Sequence, residues 1–249
     1  MERYLSKSSP RNAPFSIRRD HSTSKKDFIF LYPEPEIINF ELLRGSHVLF
    51  RLPRQTKLDT AKGIIAAVEG LDDNLKPIFD EYKKVYKTML NACIDLRYRS
   101  NGFTINFALL DGDTVSDAID IKDGDRTVYV GMTAETHRKE RGNGKFKYPN
   151  NNHILRQIGE PQLLRVAGFH LWDCVDKLAR RAYRNGIDVL VDEDLTELFV
   201  GRLNDGNFKP EKYPTFYLTE SLKDSPFLDH FIHIRKNRPW LWQYSELSV

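Results

Sequence analysis

The stretch from Leu163 to Val191 constrains the fold more than any other part of the chain. Leu163 to Phe169 is a near-continuous apolar run, the pattern of a strand covered on both faces. Trp172, Val175, Leu178, Ala179 and Ala182 then recur at helical spacing, and Asn185-Gly186 stops them. Ile187 to Val191 is a second buried run, followed by Asp192-Glu193-Asp194. A strand, a helix of this length and another strand predict a right-handed parallel crossover. Both strands then end at one edge of the sheet, where open α/β proteins place their ligands.

Other segments are read by the same rules. Phe28 to Tyr32 is a strand stopped by Pro33 and Pro35, and Ile37–Leu43 and His47–Leu52 read as two more, separated by Arg44-Gly45-Ser46. Residues 60–69 read as a short helix started by Asp59 or Thr60. Leu75, Ile78, Phe79, Tyr82, Val85, Met89, Cys93 and Leu96 mark a long amphipathic helix, with Cys93 in its apolar stripe. Residues 103–131 alternate around Asp111-Gly112 and Asp123-Gly124, which predicts an antiparallel meander. The fold class expected is therefore a three-layer, Rossmann-like α/β protein. Its sheet is mixed, parallel in the second half, with the meander at 103–131.

Charge is distributed unevenly. Residues 1–26 hold Arg3, Lys7, Arg11, Arg18, Arg19, Lys25 and Lys26 against Glu2 and Asp20, whereas the rest of the chain carries 31 basic and 33 acidic side chains. This Ser- and Pro-containing arm lacks apolar periodicity, so burial does not repay its ordering entropy and it is expected to be mobile in isolation. Arg11, Arg18, Arg19, Lys25 and Lys26 are its candidate contacts to nucleic acid or an acidic partner. Its composition also suits an organelle transit peptide. A second basic cluster, Arg138, Lys139, Arg141, Lys145 and Lys147, lies in the polar stretch 134–152 and could grip a phosphate or carboxylate.

A chain that is 40% hydrophobic excludes wholesale disorder, and its apolar runs are too short to span a membrane. Two cysteines build no disulfide scaffold, so a soluble cytoplasmic protein is the expectation. Residues 27–249 read as one domain with an aromatic-rich extension from about 202, which wraps the domain or contacts another subunit. The six aspartates from Asp111 to Asp125 lack calcium-loop spacing, and His230 and His233 lack a third ligand, so no metal and no cofactor are expected. P-loop, dinucleotide, Ser-elbow and CxxC motifs are missing.

The crossover delivers His170-Leu171-Trp172-Asp173-Cys174 to the start of a helix. A thiol there faces unpaired backbone N–H groups and the positive end of the helix dipole, which makes Cys174 the candidate nucleophile. Leu155 to Gly159, Leu163 to Gly168, Cys174-Val175, Ala179, Ala182, Gly186, Val189, Val191 and Asp194 together resemble the isochorismatase-like cysteine hydrolases. The resemblance covers residues 154–196 and keeps the six-residue interval from Gly168 to Cys174. It implies an Asp, Lys and Cys triad in which the thiolate attacks an amide or imine carbon. Lys145 or Lys147 would supply the lysine, and Asp194 falls where the family strand ends in Asp.

The family's first-strand Asp has no counterpart in His47–Leu52, which offers Arg51 and Leu52. His170 is the candidate substitute base. Two functions follow. One is a cysteine hydrolase acting on a small amide or related carbonyl compound, with its chemistry intact or degenerate. The other is a non-catalytic binding or assembly protein on the same scaffold, using the basic arm.

Overall fold

The computed structural model describes residues 25–137, 148–212, 233 and 238–241. Five strands form one sheet: β1 (Lys26–Leu31), β2 (Thr104–Leu109), β3 (Arg126–Tyr129), β4 (Leu163–Gly168) and β5 (Asp188–Val191), in the order β3-β2-β1-β4-β5. Every pairing is parallel. Successive side chains of β1 serve opposite faces. Phe28 and Phe30 join one buried cluster, and Ile29 and Leu31 join the other. The first cluster is closed by α1 (Pro35–Gly45), α2 (Ala61–Glu69) and α3 (Lys76–Arg97), and the second by α4 (Asn151–Gln157) and α5 (Asp176–Arg184). The result is three layers, with helices covering both faces of the sheet as an all-parallel sheet requires.

The crossover is present as expected, with β4 and β5 parallel and in register from Leu163↔Asp188 to Val166↔Val191. The antiparallel meander is not. β2 and β3 run parallel, Asn106 opposite Arg126, so the intervening chain returns across the end of the sheet before β3 begins. Val115 to Ile121 forms no strand there. Ala118 and Ile119 are buried against the α3 side, and Asn91 of that helix donates to Ala118 O at 3.0 Å and accepts from Asp120 N at 2.8 Å. The two Asp-Gly pairs are real turns, with Gly112 and Gly124 at φ of +91° and +90°, but they turn a loop and not a hairpin.

Two further expected strands are helical. Ile37–Leu43 lies in α1, where Pro35 occupies the first turn and Ile38 and Leu42 bury on one face. His47–Leu52 holds a short 3-10 turn, Val48–Arg51. α2 starts where expected: Thr60 accepts a hydrogen bond from Gly63 N at 3.1 Å. Ahead of α3, Asp72 accepts from Asn74 N and Leu75 N at 2.9 Å each and closes the turn that leads into the helix. Its buried face runs through Phe79, Tyr86, Leu90, Cys93 and Ile94, leaving Val85 and Leu96 exposed.

At the β5 edge, Val191 N donates to Trp240 O at 2.8 Å, and Val191 and Leu241 form a parallel bridge. Trp240 Nε1 also donates to Asp176 Oδ1 at 2.7 Å, and Arg238 pairs with the same oxygen at 2.9 Å. Asp176 opens α5, so the C-terminal stretch 238–241 is fastened to that helix. No helix among the described residues is long and apolar enough to cross a membrane.

Candidate functional site

The C-terminal ends of β1 and β4 lie side by side, Leu31 opposite Gly168. Gly168 has φ of +102°, and a Cβ on it would meet Leu31 O at 2.1 Å, so only glycine permits this approach. Beyond β1 the chain enters Tyr32 in the left-handed region, then Pro33 and Glu34. Beyond β4 a cis Phe169–His170 peptide leads into a π-helical turn, Leu171–Val175, before α5 begins. Cys174 sits in that turn, half-buried.

Tyr32 belongs to the buried cluster against which Cys174 packs, and the two side chains are close enough to bias each other's ionisation. Burial pushes the Cys174 thiol up to about 11, and the Asp173 carboxylate pushes in the same direction. The Tyr32 hydroxyl and the Lys177 ammonium oppose this without overcoming it. The activation expected from the helix start therefore loses to desolvation. Lys177 pairs with Asp173 one turn earlier and lies over the Tyr148 ring.

His170 is 63% exposed, and its Nδ1–H donates to Glu197 Oε1 at 2.7 Å. The same carboxylate accepts from Leu171 N at 3.0 and 2.8 Å, which fixes it against the strand end. The hydrogen bond to Glu197 raises the His170 pKa above its ordinary 6.5, although burial works against it. Arg44 donates to Glu197 O at 2.6 Å and to the buried Glu41, so α1 braces this corner. Burial pushes Glu41 up to about 7 despite Arg44. Glu34 is fully buried, accepts from Leu110 N at 2.8 Å through Oε1, leaves Oε2 without a partner, and is pushed up to about 8 by burial.

Asp194 belongs to a different cluster. Arg97 Nη1 bonds both Asp192 oxygens at 3.1 and 3.0 Å, and its Nη2 reaches Asp194 at 3.2 Å. Arg202 pairs with Asp194 at 2.7 Å, and the Tyr98 hydroxyl donates to Asp192 at 2.5 Å. Arg97 also donates to Pro210 O and Lys212 O at 2.7 and 2.5 Å. This cluster lies against Cys93, which is fully buried and pushed up to about 12 by burial, and not against Cys174.

Of the sequence-derived candidates, the structure brings His170 and Cys174 to one sheet edge and sets Asp194 apart. Lys145, Lys147, Arg11, Arg18, Arg19 and His230 lie outside the described residues. Lys25 and Lys26 are occupied by the fold: Lys25 donates to Ile158 O and Gly159 O, and Lys26 donates to Asn101 O at 3.5 Å. Tyr32, Glu197 and Lys177 were missed. Lys177 carried a signal, since it lies three residues after Cys174 on one helix face. Tyr32 carried one too, because it directly follows the true first strand. Glu197 is joined to His170 only by the fold.

Among the described residues no group of three or more His, Cys, Asp or Glu side chains could hold a metal ion. Comparison with protein-family models, curated proteins and solved structures returns no match.

Proposed function

We propose that the chain is a degenerate isochorismatase-like cysteine hydrolase, which binds a small amide or related carbonyl compound at the sheet edge beside Cys174 without hydrolysing it efficiently. One observation carries this reading: Tyr32, and no carboxylate, directly follows the first strand and lies beside Cys174. A thiol at about 11 is ionised in roughly one molecule in ten thousand at pH 7. Tyrosine, itself held well above its ordinary value by burial, takes no proton from it at that pH. The neutral pair offers a hydroxyl and a thiol to a carbonyl ligand and lacks a base that would make the sulfur attack.

The test is the pH dependence of iodoacetamide alkylation, read by peptide mass spectrometry with buried Cys93 as internal control. The expected result is a Cys174 midpoint well above pH 9. A midpoint below 8 would overturn degeneracy and restore a working hydrolase. A second reading is favoured by the His170–Glu197 pair, which leaves Nε2 of an oriented imidazole for proton transfer. Under it, a panel of small amides is turned over, and C174A and H170A each abolish that turnover.

A further inference from the structure

From the end of α1 to the first turn of α2 the chain carries Arg51, Arg54, Lys57 and Lys62 against one acid, Asp59, and all five are exposed. Among the described residues none of these four cations forms an ion pair, so their charges face solvent. In the same segment Phe50 is 74% exposed, more than any other large apolar side chain described. Unpaired cations and a bare aromatic ring coincide here on one stretch of chain.

The segment is a shaped platform. Val48 is fully buried, and Leu49, Leu52 and Leu58 pack against the α-helical core cluster, so the loop is nailed down while Phe50 points away. His47 adopts φ of +60°, and its ring lies 6.1 Å from that of Phe50. Thr56 N donates to Pro53 O at 2.9 Å, closing a turn in the middle of the basic run.

We infer that residues 47–62 bind single-stranded nucleic acid, with Phe50 stacking on a base and Arg51, Arg54, Lys57 and Lys62 holding the flanking phosphates. The chemistry favours this over an anionic membrane. Membrane insertion needs contiguous apolar area, and the neighbours that could supply it, Leu49 and Leu52, are turned into the core. A single exposed ring beside cations is what an unpaired base and its phosphates use.

The test is fluorescence anisotropy of a labelled single-stranded oligothymidylate with the full-length protein. Binding is expected to weaken with salt. F50A is expected to lose about tenfold in affinity with an unchanged salt slope. R51E/R54E is expected to lose at least as much, with a slope shallower by about 0.7 for each phosphate contact removed. These positions are exposed, and intact thermal unfolding confirms that the variants fold. Unchanged affinity in both variants, with loss on R11E/R18E/R19E, would assign binding to the arm and overturn the inference. So would equal competition by duplex, loop-dependent binding to phosphatidylserine vesicles in place of the oligonucleotide, or no binding to either probe.

Discussion

Two polar clusters flank the C-terminal edge of the same sheet, and they are built on opposite terms. Around Arg97, each buried charge meets an opposite one: Asp192 and Asp194 face Arg97 and Arg202, and backbone carbonyls of Pro210 and Lys212 take the remaining guanidinium hydrogens. Around Cys174 the groups are open or uncompensated. His170 faces outward, Glu34 has an oxygen without a partner, and the thiol is neutral. A charge-paired cluster fixes structure, because removing one partner leaves a buried charge stranded. An unsaturated one has capacity left for a ligand.

That contrast gives its sharpest test in Arg97→Met, which strands buried Asp192, leaves Asp194 to Arg202 alone, and should cost about 3–5 kcal/mol in urea unfolding. A loss under 1 kcal/mol would erase the distinction between the clusters. Next comes Glu34→Gln. A carboxyl raised from 4.5 to about 8 keeps its proton in the folded state while the unfolded chain releases it. Its contribution is full below about pH 4.5 and is lost as pH rises through 8. Removing it should flatten the fall of stability between pH 5 and 8 by about 1.4 kcal/mol per pH unit. Denaturation curves at four pH values read this directly.

Smaller effects belong to the exposed end of the site. Glu197→Gln should return the His170 pKa toward or below its ordinary 6.5 in an NMR titration. With Glu197 present, His170 contributes stability below about pH 6.5 that fades as pH rises through its higher folded value. An unmoved His170 titration in the variant would separate the two residues. Smallest is Tyr32→Phe, which removes the hydroxyl that favours the thiolate. Alkylation of Cys174 at pH 9.5 should slow by roughly fivefold. Faster alkylation would mean that Tyr32 shields the sulfur and gives it no support.

Much of this frame was legible beforehand. β1, β4, β5, α2, α3 and the placement of Cys174 and His170 at one edge follow from apolar runs and helical spacing, which are local signals. The errors have local causes as well. In Ile37–Leu43 the β-branched and aromatic residues suggested a strand, but Pro35 set a helix and tertiary contacts buried Ile38 and Leu42 together. Asp-Gly pairs normally close hairpins, and here the parallel partner of β2 is β3, a choice made by long-range packing. Asp194 is a catalytic candidate only through the family resemblance, which has an Asp after that strand. Its partner Arg97 lies on α3, far away in sequence, and no pattern near Asp194 reveals it.

The parallel bridge at Val191 has a consequence for how the chain is made. Leu241 follows Val191 by about fifty residues, so on a ribosome adding 5–20 residues each second the outer amide of β5 waits several seconds for its carbonyl from Trp240. During that interval the nascent sheet ends in an open strand that any neighbouring chain could extend. Arg238 and Trp240 then arrive together on Asp176, so that edge is closed by the last part of the described chain to be made.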